Sequence, residues 1–416
     1  MTRTNRRKRW TLLALGAVGL AGAVTVAAVA APARKARLAP VYTPTSDIKI
    51  VARVAARDPS EVAARQALAS SPENVELAVQ LARSDIARYR TLSDPRYLGR
   101  AQATLARWWK LSEPPHDVLL LRATILQSTH EFTAARADLD RIVNTRPDDA
   151  QAHLTRAVVA TITADYAAAR ASCDAVARLA PPLVAATCVA PLDGIAGKTA
   201  EAYPRLGETL SSAHGSDPAI RGWALTALAE LALQLGDHEA AARHLRDALV
   251  LDGEDAYARN LLADILMDTD RVAEASQLLA GRDAIDSHLV RRAIAEHQLR
   301  GPEAPRLAAA MRDQIAAAAA RGDRIHLREE ARFALAVDGD AARAVQLARA
   351  NWDVQKELAD ARLLAETAAA ARAPEAAAPV IAWARGSGVR DAWLERSLAR
   401  LGVRLDGLVP APVGTR

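Results

Sequence analysis

The chain has 416 residues, of which 25% are charged, and a formal net charge of +5 at pH 7. Five of its 54 basic residues lie in residues 1–33, where there is no acid, and the remaining 49 balance the 49 acids. A protein that binds duplex nucleic acid needs a clustered basic surface, and the sequence shows none, so we predict no nucleic-acid partner. Alanine, the strongest helix former, is abundant and strand signals are nearly absent, which predicts an all-α protein.

The N-terminal segment, residues 1–33, begins with basic residues and continues with an apolar stretch of 21 residues from Thr11 to Ala31. These are the parts of a secretory signal, and Ala28-Val29-Ala30 provides small residues at a cleavage position. The stretch also reaches the ~20 residues that span a bilayer as a helix. A cleaved signal peptide and a retained signal anchor both stay open. Basic residues favour the cytoplasmic side, so both predict an extracytoplasmic body that contacts the membrane through this segment only.

Residues 34–58 contain Pro40 and Pro44 and are predicted to form a tether. Residues 59–115 predict an N-terminal, degenerate helix hairpin. Its turn is expected to be enlarged by the stretch Arg88–Ala101, and its second helix is expected to run through Trp108 and Trp109.

The central residues repeat with a period of 34. The stretch Glu131–Pro147 reads EFTAARADLDRIVNTRP, and the stretch Asp165–Pro181 reads DYAAARASCDAVARLAP. Both have an aromatic residue second, then Ala-Ala-Arg-Ala, and both close with proline. A fixed period of this length is typical of stacked supersecondary units that cannot bury their apolar faces alone.

Four units share one register. They start at His116, Ala150, Gly222 and Ala256, and they form two gapless pairs over residues 116–182 and 222–289. Each has a small residue at positions 8 and 20, where two antiparallel helices, A and B, are expected to cross closely. A polar or glycine turn near position 15 joins the helices, and the end of helix B lies near position 32, where the first two units have proline.

Weaker units fill the rest of the chain. Residues 183–221 predict one degenerate unit, residues 290–390 predict degenerate helix hairpins, and residues 391–416 predict a capping helix and a tail.

This pattern resembles the tetratricopeptide repeat (TPR) superfamily, in which small residues occupy positions 8 and 20 and proline occupies position 32. The family tryptophan at position 4 is absent, and Gly253 replaces one of the prolines. The resemblance implies an all-α, right-handed superhelical solenoid of antiparallel helix hairpins. It also implies a concave groove that binds a protein or peptide partner.

The resemblance assigns the groove to inner positions of the A helices, chiefly 2, 5, 6, 9, 12 and 13. The partner-binding residues predicted in this way are Gln127, Thr155, Trp223, Glu230, Tyr257, Asn260, Asp264, His326, Glu329, Glu330 and Phe333. Trp223 and Tyr257 both occupy position 2, where an aromatic side chain could anchor a partner or pack against the preceding helix. Asp264 and Glu329 predict an acidic groove and an apolar or basic partner.

The two cysteines, Cys173 and Cys188, fall on neighbouring helices of the implied stack. In an exported protein they could form a disulfide if their Cα atoms lie within about 7 Å. They could equally be two small buried apolar residues.

Motifs for chemistry are missing. The sequence GIAGKT at Gly194–Thr199 lacks the first glycine of a phosphate-binding loop, and no nucleophile or dinucleotide motif occurs. We therefore predict no enzymatic activity and no cofactor. One patch has ligand-like spacing, since His326, Glu329 and Glu330 share a helical face, but only Glu366 could join them from a second helix. An ion-pair network explains that patch equally simply.

Taken together, these features predict a non-catalytic protein–protein interaction scaffold in the cell envelope. The alternatives are a structural or assembly factor of an envelope complex, and a metal-dependent protein with its site near His326–Glu330.

Overall fold

The computed structural model describes residues 58–92, 94–321 and 326–405. The predicted signal or anchor segment, the predicted tether except for its last residue, and most of the predicted C-terminal tail lie outside the described residues. No helix in the described part is both long and apolar enough to cross a membrane.

Within those ranges the chain is all-α, with 21 α-helices, one 3₁₀-helix and no strand. The α-helices are α1 (Pro59–Ser70), α2 (Val75–Leu92), α3 (Arg96–Thr104), α4 (Ala106–Trp109), α5 (His116–Ser128), α6 (Phe132–Thr145), α7 (Ala150–Ile162), α8 (Tyr166–Leu179), α9 (Pro182–Ile195), α10 (Thr199–Ser212), α11 (Pro218–Gln234), α12 (His238–Leu251), α13 (Ala256–Asp268), α14 (Val272–Leu278), α15 (Asp286–Leu299), α16 (Ala304–Arg321), α17 (Leu327–Ala336), α18 (Ala341–Val354), α19 (Leu358–Ala370), α20 (Ala378–Ser387) and α21 (Ala392–Ala399). The 3₁₀-helix, Pro374–Ala377, lies between α19 and α20. Successive helices pack as hairpins that stack on one another, so the predicted all-α solenoid is confirmed.

The small residues at positions 8 and 20 lie where the two helices of a hairpin touch. Ala123 and Ala135 are fully buried in the first clear unit, and Ala229 and Ala241 are fully buried in the third. Larger buried residues such as Leu139 fill the space around these crossings. An alanine at the crossing lets the two backbones approach, which explains why the period is visible in the sequence.

The turn after each A helix has the same backbone in units that differ in sequence. Position 15 is His130, Ala164, Gly236 or Asp270 in the four clear units, and each has a positive φ between 59° and 82°. The next residue donates its N–H to a carbonyl five residues earlier in α5, α7, α11 or α13, at 2.8–2.9 Å. This is the hydrogen bond of a Schellman helix end, which satisfies carbonyls that the helix leaves free.

Two of these turns, and one turn in a weaker unit, also start helix B with the same cap. The side chains of Asp165 and Asp237 accept a backbone N–H from the residue three positions on, at 3.1 and 2.8 Å. Asp340 caps α18 in the same way at 2.9 Å. An aspartate at an N-cap stabilises a helix by about 0.5–2 kcal/mol.

The predicted enlarged turn near the N-terminus is wrong. Helix α2 continues to Leu92, and α3 begins at Arg96, so the connection is short and the stretch Arg88–Ala101 is mostly helical. Asp94 helps start α3 by accepting the backbone N–H of Arg96 at 3.0 Å.

Cys173 in α8 and Cys188 in α9 are joined by a disulfide, with their Cα atoms 5.6 Å apart. Both side chains are buried and pack in one apolar cluster with Leu192. The bridge therefore links helix B of one unit to helix A of the next.

Candidate functional site: the concave face

The concave face of the central repeats is partly covered by the chain itself. Residues 356–399, which we call the C-terminal segment, return to the ends of α7, α9, α11 and α13. The backbone N–H of Lys356 donates to the carbonyl of Ile162 at 2.8 Å, and Trp383 Nε1 donates to the hydroxyl of Tyr166 at 2.6 Å. Arg362 forms an ion pair with Asp268 at the end of α13.

Two close approaches fix where this segment lies. A Cβ at Gly197 would lie 2.5 Å from the carbonyl oxygen of Gly388, and Gly197 has a φ of +76°. Both the space and the backbone conformation therefore require glycine at position 197. Trp393 of α21 packs within the same buried cluster as residues of α9 to α14, and its ring lies 3.4 Å from the Arg362 guanidinium carbon.

The segment contacts the C-terminal ends of the central A helices rather than the whole concave face. It leaves a cavity of about 170 Å³, which we call the inner cavity. The wall of the inner cavity is formed by Thr161, Pro191, Ile195, Glu230, Leu233, Gln234, Tyr257, Leu261, Asp264, Arg328, Arg332, Lys356, Glu357, Leu358, Ala359, Arg362, Asp391 and Trp393. These residues come from seven helices and two connections that lie far apart in the sequence.

Glu230 and Tyr257 meet at this wall, as their adjacent inner positions predict. The Tyr257 hydroxyl donates to Glu230 Oε1 at 2.5 Å. The pKa of Glu230 is raised to about 7, mainly because burial disfavours its charged form. The hydrogen bond from Tyr257 lowers this pKa, and the nearby Glu357 carboxylate raises it. The ring of Tyr257 keeps accessible surface, but desolvation of its hydroxyl within the concave wall and the Glu230 and Glu357 carboxylates raise the pKa of Tyr257 well above its ordinary value, so the phenol stays protonated at neutral pH.

The prediction that Asp264 makes the groove acidic is wrong. Arg291 binds both carboxylate oxygens of Asp264, at 2.9 and 3.0 Å, and Arg332 binds one of them at 2.7 Å. Burial alone would raise the pKa of Asp264, but the two guanidinium groups outweigh it and lower the pKa to about 2. The two arginines thus neutralise Asp264, so this carboxylate adds no net negative charge to the groove.

Four of the predicted groove residues are buried. Thr155, Asn260 and Asp264 are each 7% exposed, and Phe333 is 1% exposed. Thr155 hydrogen-bonds within α7, Asn260 donates to the Ser287 hydroxyl at 2.9 Å, and Phe333 packs in the core between α15, α16 and α17. Asn260 and Phe333 therefore contact neighbouring helices and stabilise the stacking of the repeats.

The other predicted residues keep accessible surface. Trp223 is 38% exposed and Tyr257 is 54% exposed. Gln127, Glu230, His326, Glu329 and Glu330 are half-buried. Glu330 lies 3.9 Å from Arg343 in an ion pair.

The metal alternative near His326–Glu330 finds no support. Across residues 58–92, 94–321 and 326–405, no group of three or more His, Cys, Asp or Glu side chains is placed to hold a metal ion. Glu366 is taken by Arg362 at 2.7 Å instead of reaching toward His326.

Sequence reasoning missed Arg328, Lys356, Glu357 and Trp393 as part of the concave face. Arg328 is held by both oxygens of Asp360, at 2.6 and 2.8 Å, and by Glu357. No motif marks these residues, because the fold brings them to the site from parts of the chain that are far apart in the sequence.

Two family models match the chain. Both are described as tetratricopeptide repeat, and they cover residues 120–183 and 232–296. The chain therefore contains tetratricopeptide repeats. TPR modules bind proteins, so this TPR chain is a protein-interaction scaffold in that general sense.

Solved structures add likenesses at low identity. The TPR chain is similar to the Cut9-Hcn1 hetero-tetramer of APC/C, with a TM-score of 0.45, 14% identity, and coverage of 73% of this chain and 59% of that chain. It is similar to the human IFIT1 dimer with PPP-AAAA, with a TM-score of 0.43, 11% identity, and coverage of 83% and 88%. The TPR chain thus spans less than two thirds of the first of these structures, and TM-scores below 0.5 do not bear on what it binds. No curated protein matches it.

Proposed function

We propose that this TPR protein is a non-catalytic scaffold of the cell envelope that binds a partner protein or peptide on the open part of its concave face. The observation that carries the proposal is the exposure of Trp223 and Tyr257 at position 2 of neighbouring A helices. Partly exposed aromatic side chains are frequent anchors of interfaces. The C-terminal segment contacts the ends of the central A helices, and these two aromatics keep accessible surface.

The envelope location rests on the sequence of residues 1–33 and agrees with the disulfide. Disulfides form and persist in oxidising compartments outside the cytoplasm. A reporter fused after Arg416 is expected to be active only in a form that requires export. Protein taken from its native cells with thiols blocked at lysis is expected to show no free thiol after denaturation without reductant. Cytoplasmic reporter activity, or two free thiols, would contradict export.

Partner capture tests the binding face. Replacing Trp223 and Tyr257 together by alanine is expected to weaken capture from the native envelope by about 2 kcal/mol or more, because hot-spot aromatics carry most of an interface's binding energy. Capture is measured by pull-down with the full chain, at matched protein concentrations, and helical circular dichroism should stay unchanged.

The matched control replaces two exposed apolar residues of B helices, Leu179 and Val250, by alanine. It removes similar apolar surface from the outer face and should leave capture intact. If the Trp223 and Tyr257 double variant captures as well as the wild type, the partner does not bind on this face.

A further inference from the structure

Glu230 is the one acidic group in the wall of the inner cavity that has neither an ion pair nor a backbone N–H partner in the described part of the chain. Asp264 is paired with two arginines, Glu357 is paired with Arg328, and Asp391 caps α21 by accepting the N–H of Leu394 at 2.6 Å. Glu230 has only the Tyr257 hydroxyl on Oε1 and forms no ion pair with any residue of the described part of the chain. Its second carboxylate oxygen is left for another donor.

The charges near Glu230 do not replace that missing partner. The charged group that acts on its pKa is another carboxylate, Glu357. The arginines of the wall are held by their own acids, since Arg328 binds Asp360 and Arg362 binds Asp268 and Glu366. A cation entering the cavity would therefore meet a carboxylate that no arginine competes for.

The remaining wall suits an aliphatic chain that ends in a charge. Leu233, Leu261 and Leu358 line the cavity beside Glu230. Trp393 also lines it, is 7% exposed, and has an indole N–H that is buried without a hydrogen-bond partner in the described chain. The indole therefore adds apolar surface to the wall, whereas its buried N–H lies out of reach of an occupant.

The size of the cavity limits what can enter. A volume of about 170 Å³ far exceeds the ~10–15 Å³ that one water needs, and it falls short of the ~300–1,000 Å³ of pockets for drug-sized ligands. One long side chain fits this range, whereas a helix or a folded element does not.

We propose that the inner cavity receives a lysine side chain from an extended segment of the partner, with its ammonium on Glu230 and its stem against the three leucines. Lysine fits better than arginine because one free carboxylate oxygen suits a compact ammonium, whereas a guanidinium is best matched by both oxygens. The lysine stem can bury its methylenes while the charge meets the carboxylate. This inference rests on the proposed function, since it identifies the chemistry of the partner at the same face.

The test uses the full chain and two labelled five-residue peptides, acetylated and amidated, that differ only in a central lysine or norleucine. Fluorescence anisotropy is expected to show the lysine peptide binding at least about tenfold more tightly, which corresponds to about 1.4 kcal/mol. Glu230→Gln keeps the shape and an acceptor for Tyr257, and it should reduce the affinity for the lysine peptide to that for the norleucine peptide. Glu113→Gln, which changes an exposed glutamate between α4 and α5, is the matched control and should change neither affinity.

The inference is overturned by equal affinity for both peptides, by unchanged affinity in Glu230→Gln, or by no binding of the lysine peptide at about 1 mM. Butylamine that binds the wild type as tightly as the lysine peptide would also overturn it, since the site would then take a free amine.

Failure of the scaffold proposal is seen separately. If the wild type captures a partner and Glu230→Gln captures it equally, the scaffold stands and only the lysine site falls. If the wild type captures nothing, the scaffold proposal itself fails.

Discussion

Replacing Asp264 by alanine is expected to lower the free energy of unfolding by about 3–5 kcal/mol. The aspartate on α13 holds Arg291 of α15 and Arg332 of α17, so it joins three successive inner helices. Its removal leaves two guanidinium groups in a buried site without a counter-charge, and that desolvation penalty dominates the loss. The measurement is denaturant unfolding followed by circular dichroism, with the midpoint and slope fitted for each variant.

Asp174→Ala removes an exposed aspartate of α8 and serves as the control, with an expected change within about 0.5 kcal/mol. A triple variant in which Asp264, Arg291 and Arg332 become Leu, Met and Met should recover most of the loss, because apolar groups of similar volume need no counter-charge. A change of less than about 1 kcal/mol in Asp264→Ala would show that the two arginines find other partners.

The pH dependence of this cluster has a definite sign. The pKa of Asp264 is lowered to about 2 in the folded chain, against about 3.9 in an unfolded chain. Its stabilising effect is therefore complete above pH 4 and is lost as the pH falls toward 2. The pKa of Glu230 is raised instead, so its ionisation destabilises the fold as the pH rises from about 4.5 toward about 7.

Replacing Trp393 by alanine is expected to cost about 3–5 kcal/mol and to loosen the C-terminal segment. The indole is buried among residues of the central repeats, stacks on Arg362 and lies 5.4 Å from the ring of His238 on α12. Alanine leaves a cavity at the point where the last helix docks. Denaturant unfolding gives the free energy, and amide hydrogen exchange should rise across residues 356–399 more than in α5 to α8.

Two comparisons make this prediction specific to docking. Trp223→Ala removes an indole that is 38% exposed, so it should cost much less. Trp393→Phe keeps part of the packing and should lie between alanine and the wild type. If exchange in residues 356–399 is unchanged in Trp393→Ala, the segment is held by the contacts of Lys356 and Trp383 without the indole.

The sequence by itself determined the local units of this protein. The small residues at positions 8 and 20, such as Ala123 and Ala135, are required wherever two helices cross closely, and they repeat because every hairpin makes the same crossing. The turn at position 15 is equally local. His130 and Asp270 take the same left-handed conformation as glycine because the helix end needs that hydrogen bond. Short-range sterics and hydrogen bonds therefore made the architecture readable in advance.

Only the tertiary structure decided which inner positions face solvent. Each repeat adds a small rotation, and the accumulated curvature sets which side chains lie under the next helix. Asn260 and Phe333 stand at groove positions of their own helices, yet their neighbours bury them. Glu230, at an inner position of α11, keeps part of its surface and lines the inner cavity.

The closure of the inner cavity is also beyond local pattern. Lys356 and Ile162 are separated by nearly half the chain, as are Trp383 and Tyr166, but each pair is joined by a hydrogen bond. Contacts at that separation depend on the summed rotations of all the repeats between the two residues. The 34-residue period therefore does not predict these contacts. The sequence thus determined that helix hairpins stack with a concave face. The tertiary structure decided that residues 356–399 cover part of that face and leave a carboxylate, two aromatics and a narrow cavity accessible.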